Sequence, residues 1–519
     1  MAKLNLDRDK IDLCRELADG IVHPIQKYID IHSTVSIERA VLRLLGLEGA
    51  MATESGMMPL ANLVVDRIDR RRLSLGAATW IAAARIRNRK LSLDQLSIKI
   101  VEGEINLNDM TEPTPDVVRN ELTPFVTDAL RNLDRSRRDK ETLRYRWGRP
   151  NGPLIYVIVA TGNIHEDVPQ AVASAKAGAD IIAVIRSTAQ SLLDYVPHGA
   201  TTEGFGGTYA TQENFRIMHK ALGDFSGGHN RYVRLCNYSS GLCMSEIAVM
   251  GAFEGLDYLL NDAMYGILFR DINMKRTFVD QYFSRLVISR AGIIIQTGED
   301  NYLTTSPAFE NHHQVLASHF INEQFAKRAG LRDEQIGLGH AFEMDPGIED
   351  SFLYEMAMAQ LIREVFPRNP IKYMPPTRHK QGDIFFSHVL DAMFTLTASA
   401  TGQGVILLGM PTEAIHNPFL QDRFMSLKSA RYILSAAHSL SDEIQFSPNG
   451  KMARRARTVV DDTQKLLQRI REVGMMETIE KGTFADMRRT RDGGRGLDGV
   501  FQKGRRYYNP FVDRLLPSR

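Results

Sequence analysis

Between residues 154 and 410 the chain repeats one pattern. A short apolar, β-branched run closes on glycine or a polar residue, and a longer stretch with apolar positions at helical spacing follows. The runs are Leu154–Ala160, Asp180–Ile185, Tyr232–Cys236, Leu256–Leu260, Gly292–Gln296, Gln335–Gly339, Pro370–Tyr373 and Gly404–Gly409. The stretches between them, such as Gln212–Leu222 and Phe278–Ile288, are built from good helix formers. Strands that are apolar along their whole length are buried on both faces, which means a parallel sheet covered by helices. Eight such units in roughly 250 residues predict an α/β fold, a closed (β/α)8 TIM barrel. An open doubly wound sheet is the competing topology, but no dinucleotide-binding glycine fingerprint follows the first strand. The one G-x-G-x-x-G, Gly494–Gly499, follows the polar segment Arg488–Asp492 instead of a strand, and reads as a flexible loop.

Two accessory regions flank a barrel assigned to residues 151–425. Residues 1–150 read as a helical extension, with apolar recurrence over Ile11–Leu17, Ile37–Leu45, Ala61–Asp69 and Leu75–Ile86, a basic stretch from Arg135 to Arg149, and a turn at Pro150–Pro153. Residues 426–519 read as helix over Ser429–His438 and Arg455–Val473, then as an irregular tail rich in glycine and arginine. From Lys451 to Arg519 there are 17 Lys and Arg against 9 Asp and Glu, a local +8. Without interleaved aromatic platforms this reads as a solvated or partner-facing surface and not as a nucleic-acid site. The whole chain, 519 residues with net charge +2, has no general field for nucleic acid or anionic membrane. No window approaches the roughly 20 apolar residues of a membrane span. Only Cys14, Cys236 and Cys243 are present and no apolar signal segment opens the chain, so a cytoplasmic location is expected.

Chemistry in a (β/α)8 barrel gathers where strands end. The residues there are Thr161–Asp167 after the first run, Arg186, Ser187 and Ser191 after the second, and Asn237–Ser240 after the third. Asn261, Asp262, Tyr265 and Arg270 follow the fourth, Glu299 and Asp300 the fifth, and His340 and Glu343 the sixth, with Lys372 at the seventh and Glu413 after the eighth. Helix capping explains many of the short polar residues but not Arg186, Tyr265, Lys372 or Glu413. Arg186 with nearby serines suits a phosphate or, equally, a surface ion pair. Tyr265 suits a stack on a flat ring or plain packing, and Lys372 a Schiff base or a pair with a carboxylate. The glycine-rich loop Thr202–Thr208 suits a mobile lid as well as a backbone anion cradle. Glu299, Asp300, His340 and Glu343 raise a metal-dependent lyase or aldolase as an alternative, yet no His-x-His or Glu-x-x-His spacing supports a metal, and none is assigned. A non-catalytic scaffold is a further alternative.

Several long motifs, Ala160–Gln170, Thr202–Thr211, Asn261–Arg270 and Gln296–Asp300, together with the full length, resemble the large (alpha) subunits of the lysine 5,6-aminomutases. The resemblance covers essentially the whole chain. It implies an isomerase that moves the terminal amino group of D-lysine or L-β-lysine from C6 to C5 in lysine fermentation, using pyridoxal 5′-phosphate and adenosylcobalamin. It further implies that Arg186, Ser191 and Ser240 contact the phosphate or ring polar atoms of pyridoxal phosphate. Tyr265, as the catalytic residue, would stack on the pyridine ring with Arg270 nearby. Asp300 and Lys372 would read the substrate's ammonium and carboxylate, and Glu413 would meet the adenosyl ribose. A base-off cobalamin module carries D-x-H-x-x-G, and the nearest match here, Asp30–Val35, lacks the glycine. The resemblance likewise puts the cobalt-ligating histidine and the Schiff-base lysine on a small beta subunit with a Rossmann-like domain, in an α2β2 heterotetramer.

Overall fold

Strand formation follows the apolar runs one for one in the computed structural model, which describes residues 3–516 apart from 55, 148–151, 305, 341–342 and 376. The strands are β1 (Leu154–Ile158), β2 (Ile181–Ala183), β3 (Arg234–Tyr238), β4 (Tyr258–Leu260), β5 (Ile294–Gln296), β6 (Ile336–Gly337 and Gly339–His340), β7 (Lys372–Tyr373) and β8 (Val405–Leu407). All pair in parallel, and β8 pairs back onto β1 through Val405–Leu154, so the sheet closes and the chain has the expected barrel. The sixth strand is interrupted at Leu338: its first half pairs with β5 and its second with β7. Glycine is required on both sides of that break. A Cβ at Gly337 would stand 2.6 Å from the Ile295 carbonyl oxygen, and one at Gly339 would stand 2.4 Å from Asp300 Oδ1.

Both faces of the strands are buried, which is why the runs are continuous. Tyr156, Ile181, Ala183, Cys236, Tyr258, Val405 and Leu407 fill the barrel interior. Their neighbours Ile155, Val157, Ile182, Leu235, Leu259 and Ile295 join the larger core shared with the surrounding helices.

The extensions pack on this barrel and on each other. Helix Arg8–Ile31 buries Ile11, Cys14, Leu17, Ala18, Ile21 and Ile25, and lies against Lys451–Val473 and the barrel helix Ala308–Arg328. His32–Thr34 pairs antiparallel with Val500–Gln502, so the tail also contains a strand. Among the helices that escaped the sequence pattern are two of the N-terminal extension. Leu93–Val101 starts on a Ser92/Gln95 capping box, and Pro115–Arg146 absorbs most of the basic stretch into one 32-residue helix. Arg144 of that helix pairs with Asp257 at 2.8 Å, and Lys140 donates to the Leu256 carbonyl oxygen at 2.8 Å. Arg149 and the Pro150–Asn151 part of the expected turn lie outside the described residues. Helix Leu420–Ala436 runs across residue 425. Among the described residues no helix is long and apolar enough to cross a membrane.

The reading of Gly494–Gly499 as a flexible loop is corrected. Arg495 N–H donates to the Asp271 carbonyl at 2.8 Å and its own carbonyl accepts from Asn273 N–H at 2.9 Å, while Arg276 Nη1 donates to the Gly496 carbonyl at 3.2 Å. These glycines let two backbones touch: a Cβ at Gly494, whose φ is +78°, would lie 2.9 Å from the Asn273 nitrogen. Gly494→Ala is therefore expected to lower unfolding stability by about 1–3 kcal/mol in urea denaturation. An unchanged midpoint would return the segment to a free loop.

Candidate active site

Strand ends deliver a ring of polar side chains to one end of the barrel. Arg186 lies just past β2, bridged to Thr208, and is buried. Its Nη2 donates to Ser240 Oγ at 2.6 Å, while Nε and Nη1 have no hydrogen-bond partner among the described residues. The groups that act on it most strongly are Tyr265, Arg270, Cys243 and Tyr238, none of them a carboxylate, and burial pulls its pKa down to about 10. It remains charged at neutral pH with no carboxylate partner among the described residues.

Ser191 sits in the turn Ala189–Leu192, where its hydroxyl donates to the Thr188 carbonyl at 2.6 Å. Its backbone abuts Gly241, beside Ser240: a Cβ there would be 2.6 Å from the Ser191 oxygen. Helix Ala263–Arg270 begins on Asp262, whose Oδ1 accepts from Met264 N–H at 3.0 Å and whose Oδ2 accepts from Gly298 N–H at 2.9 Å. That cap fixes Tyr265 against Gly298, where a side chain would collide with the tyrosine Cβ at 2.9 Å. Arg270 Nη2 donates to the Tyr265 hydroxyl at 2.7 Å, and the guanidinium lies 5.2 Å from the ring centroid. Arg186, Ser191, Ser240, Tyr265 and Arg270 thus form one group.

Asp300 and Lys372 meet next to it, their charged atoms 3.0 Å apart and both side chains buried. Burial pushes the Asp300 carboxyl up and the Lys372 ammonium opposes that. Lys372 thus pairs with a carboxylate, one of the two readings its position allows.

Glu413 stands apart from the other seven. Its Oε2 accepts from Met410 N–H at 3.0 Å and its Oε1 is 3.2 Å from Lys380 Nζ, which also reaches Asp391 at 2.7 Å. Lys380 and Asp391 escaped the sequence reading because neither terminates a strand. The signal that marks them is Gly409, where a Cβ would fall 2.1 Å from Asp391 Oδ1 and 2.6 Å from Lys380 Nζ.

The four residues raised as metal ligands do not converge. Glu343 is taken by Arg455 and by His312 at 3.4 Å, Asp300 by Lys372, and Glu299 accepts from Asn322 at 2.6 Å. His340 stacks on Tyr373 with ring centroids 5.1 Å apart, and burial holds its pKa well below the usual histidine value. Among the described residues no group of three His, Cys, Asp or Glu side chains is placed to hold a metal ion. The loop Thr202–Thr208 is pinned: Gly204 N–H donates to the Gly162 carbonyl at 2.7 Å, and the Phe205 carbonyl accepts from Ser187 Oγ at 2.8 Å.

Burial beside Asp262 raises Glu299 to about 8. An unfolded glutamate releases its proton near 4.5, so between these values the folded chain holds one proton more than the unfolded chain, and stability falls as pH rises. The thermal midpoint of wild type is expected to fall more between roughly pH 5 and 8 than that of Glu299→Gln, which cannot ionise. Parallel curves for the two would contradict this assignment.

The family model for the D-lysine 5,6-aminomutase TIM-barrel domain of the alpha subunit matches residues 4–514. The lysine 5,6-aminomutase alpha subunit of Acetoanaerobium sticklandii is 52% identical over 516 residues, covering 99% of each chain. That of Fusobacterium nucleatum is 53% identical over 518 residues, again 99% of each. The D-ornithine 4,5-aminomutase subunit beta of A. sticklandii is 26% identical over 374 residues, 69% of this chain and 50% of that one.

Proposed function

Because the chain belongs to the lysine 5,6-aminomutase alpha-subunit family, we propose that its barrel binds pyridoxal 5′-phosphate and carries the 1,2-migration of the terminal amino group of D-lysine or L-β-lysine from C6 to C5, together with adenosylcobalamin. The observation that carries this reading is Arg186, a buried guanidinium with two unpartnered nitrogens and Arg270, not an acid, for a neighbour. Such a pocket fits a phosphate dianion, whose oxygens match the guanidinium fork and serine hydroxyls. When bound, pyridoxal phosphate supplies the conjugated carbonyl that handles the migrating nitrogen, and adenosylcobalamin the radical that starts a reaction at an unactivated carbon.

The chain's own residues then bind and orient. Arg186, Ser191 and Ser240 hold the phosphate end, and Tyr265, steered by Arg270, covers the ring. Lysine's other end offers an ammonium and a carboxylate, the complements of Asp300 and Lys372. The ion pair these two make with each other keeps both charges compensated until substrate inserts between them. Glu413, held by Lys380 and Met410, meets the adenosyl ribose.

A small beta subunit with a Rossmann-like domain brings the cobalamin and the Schiff-base lysine, in an α2β2 assembly. Support for a partner comes from the segment that follows Glu413, where Ile415, Phe419, Leu420 and Phe424 are exposed, and from exposed Phe385. The chain alone, given both cofactors, is expected to show no lysine turnover until that subunit is added; turnover without it would contradict the division of labour.

Arg186→Met is expected to weaken pyridoxal phosphate binding by about 1–3 kcal/mol in an absorbance titration, the scale of a lost charge-assisted bond. Unchanged affinity would remove Arg186 from the phosphate. For the substrate pair, Asp300→Asn and Lys372→Met are expected to lower kcat/KM for lysine with cofactor affinity intact. A structural pair would instead show lowered thermal stability and near-normal kcat/KM in the folded fraction.

A further inference from the structure

The cofactor loop after β2 is held from outside the barrel. It carries Ser191 in the turn Ala189–Leu192, and three residues on comes Asp194, where donors from separate parts of the chain converge. Arg39 Nη1 donates to the Asp194 carbonyl at 2.7 Å and to its carboxylate at 3.0 Å, and Asn62 Nδ2 donates to the same carbonyl at 3.1 Å. Both residues belong to the N-terminal extension. Arg276, on the barrel helix Met274–Arg290, donates from Nη2 to the Asp194 carboxylate at 3.2 Å, and its Nη1 reaches the Gly496 carbonyl of the C-terminal tail.

The balance of burial shows which partner is being held. The Asp194 side chain is 45% exposed, whereas those of Arg39 and Arg276 are 6% and 0% exposed. Each buried guanidinium is anchored by a carboxylate of its own, Arg39 by Asp66 at 3.0 Å and Arg276 by Asp280 at 2.7 Å, and reaches the half-exposed loop residue with its remaining donors. Between Asp194 and the site the chain has little slack. The Leu193 carbonyl accepts from Cys243 Sγ at 3.3 Å, and the Ser191 carbonyl accepts from Leu242 N–H at 3.1 Å. Leu242 and Cys243 stand two and three residues after Ser240, the partner of Arg186, with Gly241 between. A shift of Asp194 is therefore transmitted to both serines of the phosphate group.

We propose that Arg39, with Asn62 in support, is a positioning residue for the cofactor's phosphate: through Asp194 the N-terminal extension sets the place of Ser191 and Ser240. The inference rests on the reading of Arg186, Ser191 and Ser240 as the phosphate site.

The test is a titration of the purified full chain with pyridoxal phosphate, alongside a thermal melt, for Arg39→Met, Asn62→Ala, Arg186→Met and a control, Arg43→Met. Arg43 sits on the same helix, Val35–Leu44, and pairs with Glu246 at 3.0 Å on a barrel helix, not with the loop. Arg39→Met is expected to weaken binding about ten-fold, the scale of one charge-assisted contact. Asn62→Ala is expected to weaken it about three-fold, for one neutral hydrogen bond lost, and Arg43→Met to leave it unchanged even where the melting temperature drops. If Arg39→Met does not fold, the Asn62→Ala result decides. Wild-type affinity in Arg39→Met or Asn62→Ala, with Arg186→Met weakened, overturns the proposal alone. An equal loss in Arg43→Met overturns it in favour of general destabilisation. No loss in Arg186→Met overturns the site reading beneath it.

Discussion

Burying a guanidinium with no carboxylate beside it costs several kcal/mol unless an anion is supplied, and Arg186 is in that condition. The surrounding architecture maintains it. Ser240 offers a hydroxyl, Arg270 adds a second cation, and Asp262, the nearby acid at the end of β4, is fully engaged by Met264, Gly298 and Asn322. The loop after β2 is latched by Arg39 and Arg276 through Asp194. Each of these features leaves the guanidinium without a carboxylate partner among the described residues. The phosphate site proposed for this strand end would offset that cost.

The second electrostatic device is the opposite case. Asp300 and Lys372 compensate one another at 3.0 Å inside the barrel mouth. They approach closely because Gly339, between their strands, has no side chain. A pair of this kind is costly to leave half-broken, so a ligand that engages one partner gains by engaging both. An amino acid carries the two complementary groups, an ammonium and a carboxylate, in one molecule. Neutral histidines line the same wall: His319, lowered to about 3 by burial, donates from Nε2 to the Gly339 carbonyl at 2.7 Å and adds no charge.

The barrel was legible in the sequence because strands buried on both faces leave uninterrupted apolar runs, and each of the eight runs overlaps a strand. Helix Pro115–Arg146 was not, since its buried positions Val118, Leu122, Val126, Ala129 and Leu133 form a stripe one residue wide among charges. The Gly494–Gly499 segment misled because a glycine needed for backbone contact looks the same as a glycine in a free loop; the contact, with Asp271–Asn273, lies far away in the chain. Among site residues, those directly on strand ends could be found by position, and their individual roles came from resemblance. Lys380, Asp391 and the Arg39–Asp194 latch could not, because the partners of each are brought together only by folding, Arg39 and Asp194 across 155 residues.

The central claim is that the Arg186 pocket is built for a phosphate. Comparing the affinity of the full chain for pyridoxal phosphate and for pyridoxal, in wild type and Arg186→Met, tests it most directly. Pyridoxal is expected to bind wild type about a hundred-fold more weakly than its phosphate ester, a gap of about 3 kcal/mol, and most of that gap is expected to vanish in Arg186→Met. Equal affinities for the two compounds in wild type, or an undiminished gap in the variant, would contradict it.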